Sequence, residues 1–276
     1  MTSKRELLRQ QRKWAESVGL TVDSRGYLKS VEANLREPLS ATTRAAFEKG
    51  SGAELLPRGS SPAKMQALHS SAVLAVNFFD HWVDKDAGPL LEALGISSTL
   101  ESLTFEAQFP TGLPGNPPNL DVALELASGQ VIGVESKFTE WLTPKRTNKP
   151  AFKEKYFAGE LWSNTGLPRC QALVADIMQG NETFRSLDAP QLVKHALGLA
   201  TQRRGRFALY YLYFDVPGRA SRVHRQDVAR FAERVDPVLG FKALTYQALY
   251  RALRVRDDVN QDYLAYLRAR YVGGDR

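Results

Sequence analysis

Only one of the 276 residues is cysteine, Cys170, so no intramolecular disulfide and no cysteine-cluster metal site can form. No apolar run approaches the roughly 18 residues that a membrane-spanning helix needs. Residues 1–20 are charged throughout and lack the apolar stretch of a secretory signal. These absences favour a reducing, cytoplasmic setting. The chain also lacks a G-x-x-x-x-G-K-[ST] loop, which argues against an ATPase motor. A G-x-S-x-G elbow is missing, the four histidines are scattered without an HExxH site, and no internal repeat is found.

What remains has the balance of an ordinary globular protein. Hydrophobic residues make up 43% and charged residues 24%, enough for a packed core. The formal net charge of +7 is compatible with a polyanionic partner but does not establish one.

Periodicity predicts a charged amphipathic helix over Lys4–Val18, with Leu7, Leu8, Trp14 and Val18 apolar. Residues 19–63 are weakly patterned, with Gly50-Ser51-Gly52 and Pro57–Pro62 looking like loop or linker, so that 1–63 forms a helix and loop extension. Met65–Val83 reads as a helix apolar around much of its circumference, hence buried on more than one side. A short helix over Asp86–Gly95 follows. Then come three strands at Leu103–Phe109, Asn119–Leu126 and Val131–Phe138, and about fifty residues of mixed loop and helix. Asp188 caps a helix running to about Thr201, and Phe207–Phe214 is an aromatic-rich buried strand. Helix is expected at His224–Val235, a short strand at Phe241–Thr245, and helices at Tyr246–Arg254 and Gln261–Tyr271. The order implies an α/β fold with a mixed sheet flanked by helices. It divides into an N-terminal extension (1–63), a core (64–215) with a basic insertion at about 139–187, and a C-terminal helical extension (216–276) packed on that core.

The segment NLDVALELASGQVIGVESKF carries the chemistry. Alternation puts Leu120, Val122, Leu124 and Leu126 on one face and Asn119, Asp121, Ala123 and Glu125 on the other. A two-residue turn would set Val122 against Glu135, mixing apolar and polar faces. A three-residue turn, Ala127-Ser128-Gly129, supplies a glycine where a left-handed residue is required. It pairs Leu124 with Ile132, Val122 with Val134, and Asp121 with Glu135, so pattern and turn chemistry choose one register. Opposed carboxylates repel unless neutralised. A divalent cation is the obvious neutraliser, and Mg²⁺ prefers oxygen ligands. Lys137 shares the face of Glu135, where an ammonium can orient water or stabilise charge growing on a phosphate. The bland alternative is a cross-strand ion-pair cluster on a solvated face.

With Asp121 followed by Glu135-Ser136-Lys137, the chain resembles the PD-(D/E)XK, or restriction-endonuclease-like, nuclease superfamily. Leu120 stands where the motif name has proline, while Pro117 and Pro118 lie just upstream. The superfamily's αβββαβ core maps onto roughly 65–84, 103–109, 119–126, 131–138, 188–201 and 206–214. The resemblance implies a Mg²⁺-dependent DNA endonuclease, with Mn²⁺ able to substitute. Asp121, Glu135 and Lys137 would be catalytic. Asp121, Glu135 and the main-chain carbonyl of Ser136 would hold the metal, with Glu106 a further candidate. Gln191 and His195 have the spacing of a Gln-x-x-x-Tyr motif found in one branch of the superfamily, with histidine replacing tyrosine. A double-strand cutter often pairs two sites by two-fold symmetry, so a homodimer is compatible with the reading. A nuclease-like fold that binds nucleic acid without cutting is the alternative.

Further candidates for lining the site or binding nucleic acid are His69, at the start of the apolar helix, and Lys145, Arg146 and Lys149 in the basic insertion. Arg203 and Arg204 form a second basic cluster at the end of the Gln191 helix. For each, the simple alternative is an ordinary solvated or satisfied polar group.

Overall fold

The computed structural model describes residues 4–50, 54–143 and 150–273. In chain order the elements are α1 (Lys4–Ser17), α2 (Ala41–Lys49), α3 (Ser71–Phe79), α4 (Gly88–Ala93), β1 (Leu100–Gln108), β2 (Asn119–Leu126) and β3 (Val131–Lys137). Then follow α5 (Leu161–Asn164), α6 (Pro168–Gln179), α7 (Ala189–Arg203), β4 (Phe207–Tyr213), α8 (Arg219–Arg234), β5 (Lys242–Thr245), α9 (Tyr246–Arg254) and α10 (Gln261–Leu267). Short 3-10 turns and a closing π turn at Arg268–Val272 fill the connections.

The five strands form one mixed sheet in the order β1-β2-β3-β4-β5. The first three are antiparallel, and β4 and β5 run parallel to β3. This is the expected α/β architecture. One face carries α2 and α3 with the start of α9. Phe47 of α2 stacks on Phe105 of β1 with centroids 5.7 Å apart, and Phe78 of α3 meets Tyr246 edge-on at 4.7 Å. The other face carries α7, with α6 and α8 packed beyond it. A single buried cluster runs from Leu7 to Tyr271 and contains both sheet faces.

Several helices differ in their bounds from the sequence expectation, α8 among them, which begins at Arg219 rather than His224. The apolar helix begins at Ser71 rather than Met65. The segment before it pairs with residues 27–28 instead, through a Tyr27–Ala67 bridge and the Leu28 amide donating to the Gln66 carbonyl. The Asn34 amide group donates to the Met65 and Ala67 carbonyls at 2.7 and 2.8 Å. Those carbonyls therefore have partners outside any helix, and Ser70 becomes the N-cap rather than a helical residue. Residues 19–63 are not mere loop, because α2 lies within them. Ser40 caps α2, and the Asp80 carboxylate accepts from the Thr43 hydroxyl at 2.6 Å and the Ser40 hydroxyl at 3.0 Å. The insertion contains α6, which starts at Pro168 and stops at the left-handed Gly180. Val18, expected on the apolar face of α1, is 53% exposed.

Candidate active site

The β2–β3 hairpin turns as its loop chemistry requires. Gly129 is left-handed at φ 75°, and the Leu126 amide donates to the Gln130 carbonyl at 2.9 Å. The ladder pairs Glu125 with Val131, Leu124 with Ile132, Ala123 with Gly133, and Val122 with Val134. The next step of this register sets Asp121 against Glu135, and here the regular ladder ends. The Ser136 amide donates to Asp121 Oδ2 at 2.6 Å, so a side chain takes the place of a backbone acceptor.

The neighbouring strand is also interrupted. Its pairing steps from Phe105/Val122 to Ala107/Leu120, over a left-handed Glu106 at φ 50°. The register is the same on both sides of Glu106, yet alternation fails at one residue of β2. A Cβ on Gly133 would lie 2.6 Å from Leu120 Cδ1 and 2.9 Å from Leu199 Cδ1. Leu120 thus reaches the α7 side instead of staying with Val122 and Leu124, and only glycine at 133 admits that approach.

Helix α7 lies over Gly133, Glu135 and Lys137 with matched steps. Four helical residues advance about 6 Å and two strand residues about 6.6 Å. Leu199, His195 and Gln191 therefore meet Gly133, Glu135 and Lys137 in turn. Lys137 Nζ donates to Glu135 Oε1 and to Gln191 Oε1, the latter at 3.2 Å. His195 Nε2 lies 3.0 Å from Glu135 Oε2. That contact is not aligned as a hydrogen bond, and neither atom has another partner. Glu135 and His195 are 1% and 2% exposed.

The electrostatics follow from this crowding. Burial alone would raise the Glu135 carboxyl, but the Lys137 ammonium and His195 offset that and hold it down to about 2. Asp121 has no such partner. Burial, then the Glu135 charge, push its carboxyl well above the ordinary range, against the opposing pull of Lys137 and the Ser136 amide. Burial would lower Lys137, yet the charges of Glu135, Asp121 and Glu140 raise it above its ordinary value, so the amine is an ammonium at neutral pH.

The oxygens available to a metal are those of Asp121 and Glu135 and the Ser136 carbonyl. The Ser136 amide faces Asp121, and the next carbonyl, that of Lys137, points away to the Phe214 amide at 2.8 Å. Alternation along the strand therefore turns the Ser136 carbonyl toward Asp121. An all-oxygen set that includes a half-buried carboxylate whose charge is only partly offset fits a hard divalent cation. No group of three or more His, Cys, Asp and Glu side chains is arranged to hold a metal among the described residues. The candidate set accordingly has two carboxylates and a main-chain oxygen. Glu106 is tied to Asn119, whose Nδ2 donates to its Oε2 at 2.6 Å. Burial raises the Glu106 carboxyl despite that bond.

The remaining candidates fall in different places. Gln191 and His195 join the centre, and the exposed-face alternative fails for His195. His69 sits in the turn before α3. Its ring is edge-on to Tyr27 at 6.5 Å, its Nδ1 is buried without a partner, and burial lowers its pKa. No hydrogen bond or ion pair joins it to Asp121, Glu135 or Lys137 among the described residues. Lys145, Arg146 and Lys149 lie outside the described residues. Arg203 and Arg204 lie away from the centre. Helix α7 runs antiparallel to β3, so its end is about 18 Å from Gln191 along the helix axis. There Arg203 pairs with Glu125, and Arg204 is the left-handed, exposed cap.

Sequence reasoning missed Tyr246. Its buried hydroxyl lies 2.7 Å from Ser136 Oγ and anchors the middle of the Glu-Ser-Lys motif from the opposite face. No local pattern links positions 110 residues apart.

Comparison with known families gives one match. The model for REase-ARP, described as Restriction Endonuclease associating with ARP, matches residues 6–272. No curated protein and no solved structure matches.

Proposed function

The chain belongs to the REase-ARP family of restriction endonucleases associating with ARP, and on that premise we propose that it is a Mg²⁺-dependent DNA endonuclease. The observation that carries this reading is the convergence of Asp121, Glu135 and Lys137 at the open end of the β2–β3 hairpin, beneath α7.

Asp121, Glu135 and the Ser136 carbonyl would hold the cation, with Mn²⁺ able to substitute. The bound cation supplies positive charge at the scissile phosphate. Lys137 provides an ammonium that binds a phosphate oxygen, orients the attacking water and neutralises charge growing in the transition state. Gln191 and Glu135 fix that ammonium in place. His195 braces the second oxygen of Glu135. The family description further suggests that the enzyme works in association with ARP.

A second reading is a nuclease-like protein that binds nucleic acid without cutting it. One observation favours it: both oxygens of Glu135 already contact a neighbour, Lys137 on one and His195 on the other. Incubation with supercoiled, linear and single-stranded DNA in Mg²⁺, Mn²⁺ or EDTA separates the two. Metal-dependent cleavage, lost in Asp121→Asn, Glu135→Gln and Lys137→Met, supports the first. Salt-sensitive binding with no cleavage under any metal selects the second.

A further inference from the structure

A cleft of about 440 Å³ opens directly beside the candidate centre, and Lys137 belongs to both. Its other walls come from Trp141, Ala151, Arg185, Lys194 and Tyr211, with Pro190 at the start of α7.

The walls are built and held. Glu140 Oε2 accepts the Phe138 and Thr139 amides at 2.8 and 2.9 Å, fixing the turn that presents Trp141. The Trp141 indole donates to the Phe214 carbonyl at 3.2 Å and stacks on His224 with centroids 4.4 Å apart. The Tyr211 hydroxyl lies 3.0 Å from His224 Nε2. On the opposite wall, Ser186 is bonded through both its amide and its hydroxyl to Asp227. The cavity is therefore preorganised rather than a gap between loose side chains.

Its chemistry is mixed in a specific way. Aromatic and proline surfaces form the interior; the cations of Lys137, Arg185 and Lys194 stand around it together with the carboxylates of Glu140 and Asp188, which accept the backbone amides of Phe138, Thr139 and Gln191. Lys194 is engaged with the Ala151 carbonyl at 2.9 Å. Arg185 is exposed. The size is that of a pocket for one small molecule, too small for a stack of base pairs. Apolar walls with surrounding cations, opening at an ammonium assigned to a phosphate, match a single nucleotide: base inside, phosphates outside.

We propose that this cleft receives one unpaired nucleotide adjoining the phosphate held at Lys137. The position of that phosphate rests on the nuclease reading above. The enzyme then acts on single-stranded DNA, or on duplex DNA from which one nucleotide is lifted out of the stack.

Titration of the metal-free protein with each of the four deoxynucleoside 5′-monophosphates, followed by calorimetry, tests the cleft without any cleavage. Binding should weaken at least about 10-fold in Ala151→Trp, which fills the cleft, and about 3-fold in the exposed Arg185→Ala. Circular dichroism checks that each variant is folded, and Arg185→Ala carries the test if Ala151→Trp is not. Failure of the wild type to bind any of the four, or binding unchanged in the folded variants, overturns the proposal. Cleavage of duplexes with and without one unpaired nucleotide then separates it from the nuclease reading. A protein that binds the monophosphates but cuts nothing retains the cleft and loses the nuclease. Wild type and Ala151→Trp cutting both duplexes equally well retains the nuclease and loses the cleft.

Discussion

Two acid–base pairs lie on the same hairpin and under the same helix, at opposite ends. Near the turn, Glu125 of β2 meets Arg203 from the end of α7, with side chains 41% and 37% exposed. At the open end, Glu135 of β3 meets Lys137, with side chains 1% and 13% exposed. The residue types are almost the same, although Glu135 and Lys137 share one strand and Glu125 meets a residue 78 positions away. At the turn end water screens both charges, and the pair is an ordinary surface contact. At the open end a second, half-buried carboxylate, Asp121, stands beside the first, and a single ammonium does not balance both. Burial under α7 thus separates a solvated ion pair from a cluster capable of chemistry.

The comparison breaks most sharply in a cleavage assay. Asp121→Asn, Glu135→Gln and Lys137→Met should each lower Mg²⁺-dependent cleavage by about 10³-fold or more, while Glu125→Gln and Arg203→Ala should stay within about two-fold of wild type. Comparable losses at the two ends would show that the open end is not special.

Stability should part the two acids next. Glu135→Gln leaves the buried Lys137 ammonium without its carboxylate, and should destabilise the metal-free protein by about 3–5 kcal/mol in urea unfolding. The sign follows from the depressed carboxyl. Its contribution is full above about pH 4.5 and fades as pH falls toward 2. The gap between wild type and variant should therefore narrow in acid. A gap that widens there contradicts the assigned pairing.

The seating of α7 that joins the two ends can be tested at Gly198, between His195 and Arg203. A Cβ there would lie 2.3 Å from the Phe109 carbonyl oxygen. Gly198→Ala should cost about 2–3 kcal/mol of stability by forcing the helix off the segment that follows β1. A thermal midpoint equal to wild type would mean the helix is not so closely seated.

Asp121→Asn should act in the opposite direction from Glu135→Gln. The Asp121 carboxyl is raised, so the folded state holds its proton more tightly than the unfolded chain. Stability from that group is present at low pH and is lost as pH rises through its folded value. Near neutral pH the substitution removes a destabilising charge and still accepts the Ser136 amide. The inactive variant should be about 1–2 kcal/mol more stable than wild type without metal. A drop in melting temperature would refute the claim that Lys137 offsets the Asp121 charge only in part.

The smallest effect is expected at the turn end. A double-mutant cycle on Glu125 and Arg203 should give a coupling below about 1 kcal/mol that shrinks with salt.

Short-range logic made much of the fold legible. Strand β2 and helix α9 have the predicted bounds, and the hairpin register follows from alternation plus one left-handed glycine. Those features depend on residues within about twenty positions of one another. The helix over Met65–Val83 was misread at its start because Asn34, far upstream, satisfies carbonyls that a helix would have used. Leu120 departs from the alternation because it packs with Leu199 of α7 in the space left by Gly133, and no local pattern announces that contact. Arg203 and Gln191 share one helix in the sequence, and nothing local says that this helix runs away from the site.

The sequence by itself determined that β2 pairs with β3, in which register, and that Asp121 and Glu135 stand opposite with Lys137 on the same face, because backbone periodicity and turn geometry are local properties. Only the tertiary structure decided which charges are enclosed. It laid α7 over Glu135 and Lys137, brought Gln191 and His195 to them, and anchored Ser136 from Tyr246 behind the sheet. Exclusion of water depends on elements far apart in the chain, and that exclusion sets the charge state of each acid.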